Sequence, residues 1–164
     1  MPKKPKSKSD STSKINGVLD ETNRQLLQLL HADPRLSMSE MARRVQMSAP
    51  AVSERVQRLG EAGIIAGYRM EVDPRALGLP LAAFVRIRPM PGQLAKVAEL
   101  AQRTPEVVEC HRITGEDCFL MKVQVADIQA LETTLDRFLA FAQTTTSIVQ
   151  SSPVPLRAVP LPMA

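Results

Sequence analysis

The hydrophobic period of this chain changes once, near residue 70. From Asp20 to about Ala62, apolar residues recur at the three- and four-residue spacing of helices. From residue 81 onward, short β-rich runs interleave with helical stretches. Between the two lies Val72-Asp73-Pro74-Arg75-Ala76-Leu77-Gly78-Leu79-Pro80, whose prolines and glycine mark a hinge. An α+β chain of two small domains follows. The expected division is a tail at 1–17, a helical domain at 18–70, a linker at 71–80, a mixed domain at 81–157 and a C-terminal tail at 158–164. Aromatic residues are 3% of the chain and tryptophan is absent, so both cores must be aliphatic.

In the first half, Asp20 is a good N-cap for a helix carrying Leu26, Leu27, Leu29 and Leu30, which Pro34 ends. Ser37, followed three residues later by Glu40, has the capping-box spacing and opens a second helix. Ser48 caps a third, with Pro50 in its first turn and Gly63 after its end. Residues 64–72 are expected to form a β-hairpin or wing. Two short helices with a tight turn and a wing make a helix-turn-helix arrangement. Turning Val52, Val56 and Leu59 inward leaves Ser53, Glu54, Gln57 and Arg58 outward. Ser53, Gln57 and Arg58 carry groups that hydrogen-bond base edges in a major groove, and Glu54 accepts from a cytosine amino group. Arg43, Arg44, Arg55 and Arg58 against Glu54 give residues 43–58 a local positive charge. A polar outer face with scattered arginine also fits any solvated helix, so these residues alone leave DNA binding as one of two readings.

The second half reads β-α-β-β-α-β: strands at 81–88, 106–113, 118–126 and 146–152, helices at 93–103 and 128–142. This is the ferredoxin-like order. Its two helices are expected to cover one sheet face, leaving Phe84, Cys110, Leu120 or their alternating neighbours on the other. An uncovered apolar face is a partner surface, so dimerisation through this half is expected. The loop Thr114-Gly115-Glu116-Asp117-Cys118 is either a polar hairpin turn or a cradle for an amino acid. In the second case peptide N–H groups near Gly115 hold a carboxylate, and Glu116 or Asp117 pairs with an ammonium.

The net charge of +4 belongs to the N-terminus: residues 1–14 hold five lysines and one aspartate, and the other charges cancel. Such a segment is expected to be disordered, either as a solubilising leader or as an arm that tracks DNA phosphates. No apolar stretch follows the lysines as in a secretory signal, and no apolar run approaches the roughly 20 residues of a membrane span. A cytoplasmic protein with reduced Cys110 and Cys118 and no membrane association is the expectation. Cys110, His111, Asp117 and Cys118 are too loosely spaced for a metal site. No cofactor and no enzymatic activity are expected: no nucleophile–base pair converges and no phosphate-binding glycine loop is present.

Four segments carry a resemblance. LDETNRQLLQLLHADPRLSMSEMARRVQMSAPAVSERVQRLGEAGIIAGY, VDPRALGLPLAAFVRIR, PEVVECHRITGEDCFLMKVQVAD and TTTSIVQSSPVPLR are similar, in that order, to the leucine-responsive/asparagine-operon regulator (Lrp/AsnC) family of bacterial and archaeal transcription factors. The resemblance covers about residues 18–157. It implies a winged helix-turn-helix reader of double-stranded DNA, and a ferredoxin-like RAM domain that dimerises and responds to a small effector, often an amino acid. Assembly beyond the dimer, to tetramers or octamers, is implied as well. On this basis Ser53, Glu54, Gln57 and Arg58 are expected to read bases, and Ser37, Arg43, Arg44, Ser48 and Arg55 to contact phosphates. The loop Ile113–Phe119 corresponds to the family's effector loop, which makes Thr114, Gly115, Glu116, Asp117 and Cys118 the effector residues. Many relatives carry TGDYDYLL where this chain has TGEDCFLM, so Glu116 stands for one aspartate and Cys118 replaces another. This departure leaves the effector's identity, and its use, open. A sequence-specific regulator is the leading expectation. The alternative is an architectural, chromatin-like DNA binder with weak sequence preference.

Overall fold

The structure, a computed structural model, describes residues 18–161. The expected disordered basic tail lies outside the described residues. The chain divides into two compact units, one running to Met70 and including the segment from Leu156, the other spanning Glu71–Pro155.

Three helices form the first unit: α1 (Glu21–Ala32), α2 (Met38–Arg44) and α3 (Ala49–Glu61). Each begins at an oxygen-bearing cap. Asp20 Oδ1 accepts from Asn23 N–H at 2.7 Å, Ser37 Oγ from Glu40 N–H at 3.2 Å and Ser48 Oγ from Ala51 N–H at 3.4 Å. The capping box at Ser37 is only half made, because the Glu40 carboxylate takes Arg43 and Arg44 instead of turning back. Leu26, Leu30, Met41, Ala42 and Val52 form the core, with Val56, Leu36 and Ile65 packed against it.

The turn between α2 and α3 has a backbone signature. Gln46 takes φ 55°, the only non-glycine residue at positive φ among those described. Met47 N–H donates to Ala42 O at 2.9 Å across it, closing a Schellman turn. Left-handed backbone costs an L side chain about 1 kcal/mol, which glycine avoids. Gln46→Gly is therefore expected to raise the thermal midpoint of this unit by a few degrees, read by circular dichroism. A drop would show that the Gln46 side chain contributes more than its backbone costs.

Residues 64–72 do not form the expected wing. They contain no strand, and Tyr68 and Met70 are exposed while only Ile64 and Ile65 turn inward. The alternation is present, but nothing in the described chain pairs with it, and a strand without a hydrogen-bonding neighbour has no ladder.

The second unit contains β1 (Leu81–Pro89), α4 (Leu94–Arg103), β2 (Val107–Arg112), β3 (Phe119–Val125), α5 (Ile128–Leu139) and β4 (Ala142–Ile148), preceded by a short 3-10 turn at Pro74–Leu77. The strands make an antiparallel sheet in the order β2-β3-β1-β4. One face is closed by Ala83, Val85 and Ile87 of β1 and alternate residues of β3 from Phe119 to Val125, packed on Val97, Ala101, Leu131 and Phe138 of the helices. Thr134 is buried as well, its hydroxyl satisfied by Ala130 O at 2.7 Å. At the two ends of α5, Ile128 and Leu139 are exposed.

The last strand begins earlier than its sequence suggests, at Ala142 rather than 146, and α5 ends at Leu139 rather than 142. The spacing of Phe138 and Phe141 mimics a helix, but Met90 N–H donates to Phe141 O at 2.8 Å and draws that residue to the end of β1.

Phe84, Cys110 and Leu120, or their alternating neighbours, were expected on the open face, and Cys110 parts from the other two. It pairs with Met121 on β3, a helix-side residue, so it faces the helices instead. An irregularity between Val107 and Glu109 shifts the alternation of β2 by one residue. Burial pushes the Cys110 thiol up from its ordinary pKa, which disfavours the reactive thiolate.

Candidate nucleic-acid interface and effector loop

On α3, the inward side of Val52, Val56 and Leu59 leaves Ser53, Glu54, Gln57 and Arg58 exposed, as its period requires. The four fall within an arc of about 140° at 3.6 residues per turn. All are polar, and all are close enough along the axis to address a few consecutive bases. Three are already engaged. Arg58 Nη2 donates to Glu54 Oε1 at 2.7 Å, and Gln57 Nε2 to Glu61 Oε1 at 2.8 Å. An exposed helix pair of this kind is worth about 0.3–0.5 kcal/mol, whereas a bidentate base contact is worth roughly 1–3 kcal/mol. The Arg58–Glu54 pair is therefore weak enough to give way to a stronger competing partner.

The arginines around α3 are less free than a charge count implies. Arg43 and Arg44 share Glu40, at 2.5 and 2.8 Å. Their hydrogen bonds hold the Glu40 carboxyl below its ordinary pKa. Arg55 points its Nη1 at Asp20 Oδ2 (2.5 Å) and Asn23 Oδ1 (3.0 Å). Ser37 and Ser48 are spent as helix caps, though both are exposed. The local positive charge of the sequence is thus largely neutralised within the unit, and phosphates would have to displace carboxylates.

Sequence reading missed the Asp20–Asn23–Arg55 cluster. Asn23 is buried, and its two amide ends go to Arg55 and, through Nδ2, to Val18 O at 2.6 Å. The cluster ties α3 to the start of α1 and so fixes its rotation. Its one sequence signal is Asn23 on the inward side of α1, three residues before Leu26. Burial opposes ionisation of Asp20, but the hydrogen bonds from Arg55 and Asn23 and the charges of Arg55 and Arg58 prevail, and its pKa lies below the ordinary 3.8. A depressed carboxyl contributes stability above its unfolded pKa, and that contribution is lost as pH falls through the lower folded value. The stability difference between wild type and Arg55→Met is therefore expected to be largest near neutral pH and to shrink below about pH 3.8. Urea titrations along a pH series read this; a constant difference would contradict it.

The second unit brings together the loop residues of the sequence reading. Ile113 N–H donates to Cys118 O at 2.9 Å and closes the loop between β2 and β3. Thr114, Gly115 and Glu116 are exposed, Asp117 and Cys118 half-buried, and Gly115 has φ +109°, which a side chain rarely adopts. Two arginines that the sequence reading did not single out meet this loop. Arg88 Nη2 lies 2.6 Å from Glu116 Oε2, and Arg88 Nε lies 3.4 Å from Asp117 Oδ1. Arg86 Nε is 3.9 Å from Asp117 Oδ2. Their signal was the alternation Phe84-x-Arg86-x-Arg88, which places all three on the open sheet face. Phe84 and half-buried Leu120 are the apolar centre of that face, with Lys122, Thr145 and Ser147 around them. Among the described residues no group of three or more His, Cys, Asp or Glu side chains is arranged to hold a metal ion, and no helix is long and apolar enough to cross a membrane.

Residues 19–60 match the profile of the AsnC-type helix-turn-helix domain, and residues 82–159 that of the Lrp/AsnC ligand binding domain. The chain is 33% identical over 133 residues to the HTH-type transcriptional regulator LrpC of Bacillus subtilis, covering 81% of this chain and 92% of that protein. It is 37% identical over 133 residues to the HTH-type transcriptional regulator LrpA of Mycobacterium tuberculosis, covering 80% and 89%. Among solved structures, it resembles a transcriptional regulator of Neisseria meningitidis in complex with L-Met, with a TM-score of 0.78, 29% identity and coverage of 87% and 96%.

Proposed function

Because the chain belongs to the Lrp/AsnC family of transcriptional regulators, we propose that it binds operator DNA in the cytoplasm as a homodimer or a tetramer or octamer of dimers, and answers to an amino acid. The family consists of regulators rather than enzymes. The observation that carries the DNA assignment is the exposed polar arc of α3 over a fully apolar inner side. Ser53, Gln57 and Arg58 read base edges, and Glu54 accepts from a cytosine amino group while holding Arg58 between encounters. Arg43 and Arg44 exchange Glu40 for phosphates. Among the described residues Arg55 engages its partners through Nη1 alone, with its other nitrogens offered to phosphate, and the exposed caps Ser37 and Ser48 add hydroxyl and peptide donors. These contacts set register and carry no base identity.

Two reading helices related by a dimer axis require a pseudo-palindromic site. Its half-sites should lie one helical turn apart, about 34–36 Å, or a multiple of that. Footprinting on genomic fragments recovered with the protein tests this; protection of a single asymmetric half-site would contradict the symmetric dimer. Phe84 and Leu120 on the open sheet face support dimerisation through the second unit.

The loop Thr114–Cys118 receives the effector. Peptide N–H groups around Gly115 approach its carboxylate, Glu116 and Asp117 face its ammonium, and Thr114 and Cys118 flank it. The similar Neisseria meningitidis regulator in complex with L-Met supports an amino acid as the effector class. Coupling between effector and DNA is typically 1–3 kcal/mol, enough to shift operator occupancy severalfold or more.

A further inference from the structure

The chain passes between its two units twice, after Met70 and again after Pro155, because the segment from Leu156 belongs with the three helices and not with the sheet it follows. Both passages leave the second unit from one corner of its sheet. Gln124 Nε2 donates to Leu79 O at 2.5 Å and to Leu81 O at 3.2 Å, which pins the incoming linker at the start of β1. Val149 N–H donates to Ala82 O at 2.9 Å, which holds the outgoing segment beside it.

The outgoing segment is built as a strap rather than a strand. Pro153, Pro155 and Pro160 lack the N–H that a ladder needs and favour a stiff, extended backbone. Such a backbone has about three residues per turn, so Ala158 and Leu161 share one side. Both border a cavity of about 220 Å³ within the first unit, with Leu27, Leu30, Ile65 and Tyr68. Leu161 also borders a smaller apolar cavity of about 100 Å³, with Leu19, Leu27 and Ile64. Of residues 150–161 Leu161 alone is not exposed, whereas Leu156 and Val159 are open to solvent. Leu27 stands outside the main core of this unit, so its apolar side chain serves the seat of Leu161 instead. The two cavities leave that seat less densely packed than a protein interior, so the strap can leave it without opening the core.

We propose that Leu161 determines specificity for operator spacing: by seating the strap it gives the reading unit a second attachment, and two attachments resist the turning that a single linker permits. The inference rests on the reading of the protein as a symmetric dimer on paired half-sites, and it names the residue that limits the distance between them. A reading unit on one linker reaches half-sites at many spacings and phases. On two it reaches few, so the second half-site is met at a high effective concentration only at the right spacing. Base contacts within each half-site are untouched, because the strap meets α1 and residues 64–69 and not the outer side of α3.

The test is a gel-shift titration of the full chain on three duplexes: a single half-site, the palindromic duplex recovered by selection from random sequence, and that duplex with roughly 5 bp, half a helical turn, inserted at its centre. Expected for wild type is binding to the inserted duplex roughly tenfold or more weaker than to its parent. Leu161→Ser should cut this penalty to about threefold or less, with half-site affinity within about twofold of wild type. Leu27→Ala, which opens the seat from α1, should act in the same way, and the double variant should lose nothing further. Val159→Ser, on the exposed side of the same segment, should keep the wild-type penalty. Circular dichroism melting establishes that each variant is folded. A wild type that prefers the palindrome to the half-site yet tolerates the insertion, an unchanged penalty in folded Leu161→Ser, equal loss of the penalty in Val159→Ser, or a half-site affinity that falls as far as the operator affinity would each overturn the proposal. Wild-type binding to the half-site as tight as to the palindrome would overturn the symmetric-dimer reading, a separate failure.

Discussion

Arg58→Ala is expected to bind its operator about 5- to 150-fold more weakly than wild type, while binding to random duplex changes little. The loss corresponds to the roughly 1–3 kcal/mol of a bidentate base contact. What the substitution removes on the protein side is small, because the exposed Arg58–Glu54 pair is worth only a few tenths of a kcal/mol. Arg44→Ala should behave oppositely, weakening all duplexes alike and reducing the salt dependence by about one phosphate contact. Gel-shift titrations on operator and random duplexes at several salt concentrations distinguish the two. Equal losses on both duplexes for Arg58→Ala would make it a phosphate contact and leave base reading to Ser53 and Gln57.

Leu26→Ala is expected to unfold the first unit and leave the second intact. Leu26 is fully buried among Leu30, Met41, Ala42 and Val52. Deleting a buried leucine side chain to alanine costs about 2–5 kcal/mol. A domain this small has little stability in reserve, so a cost of that size removes most of it. The core of the second unit, built on Val85, Ile87, Met121 and Phe138, contains none of these residues. Calorimetry should therefore show loss of one transition and retention of the other. DNA binding should vanish while any amino-acid response persists. Loss of both transitions together would mean that the two cores do not melt independently.

The elements that the sequence displayed well are those whose signals are local. Caps at Asp20, Ser37 and Ser48, the stop at Gly63 and the alternation along β1 and β3 each need only a few adjacent residues, and each is present in the structure. What failed depended on residues far apart in the chain. Tyr68 and Met70 alternate as a strand does, but alternation cannot report that no neighbouring strand exists. Phe141 fits a helical spacing, and only its bond to Met90, some fifty residues earlier, places it at the head of β4. Cys110 changes face because of a one-residue irregularity that composition does not register.

The candidate sites divide in the same way. The outward residues of α3 follow from helix period alone, and the loop around Gly115 from its turn chemistry. Their ionic partners do not. Asp20 pairs with Arg55 across 35 positions, and Arg88 with Glu116 across 28. Charge counted along the chain overstated the positive field at α3, because Asp20, Glu40 and Glu54 fold against its arginines. It likewise overstated the negative charge of the loop, because Arg86 and Arg88 meet it from the sheet.

The most direct measurement is selection from random duplexes by wild type and by a variant carrying Gln57→Ala and Arg58→Ala. Expected is a sharp pseudo-palindromic motif for wild type that flattens at matching positions in both half-sites for the variant. A flat profile for wild type, or an unchanged motif for the variant, would contradict base reading by the outer face of α3.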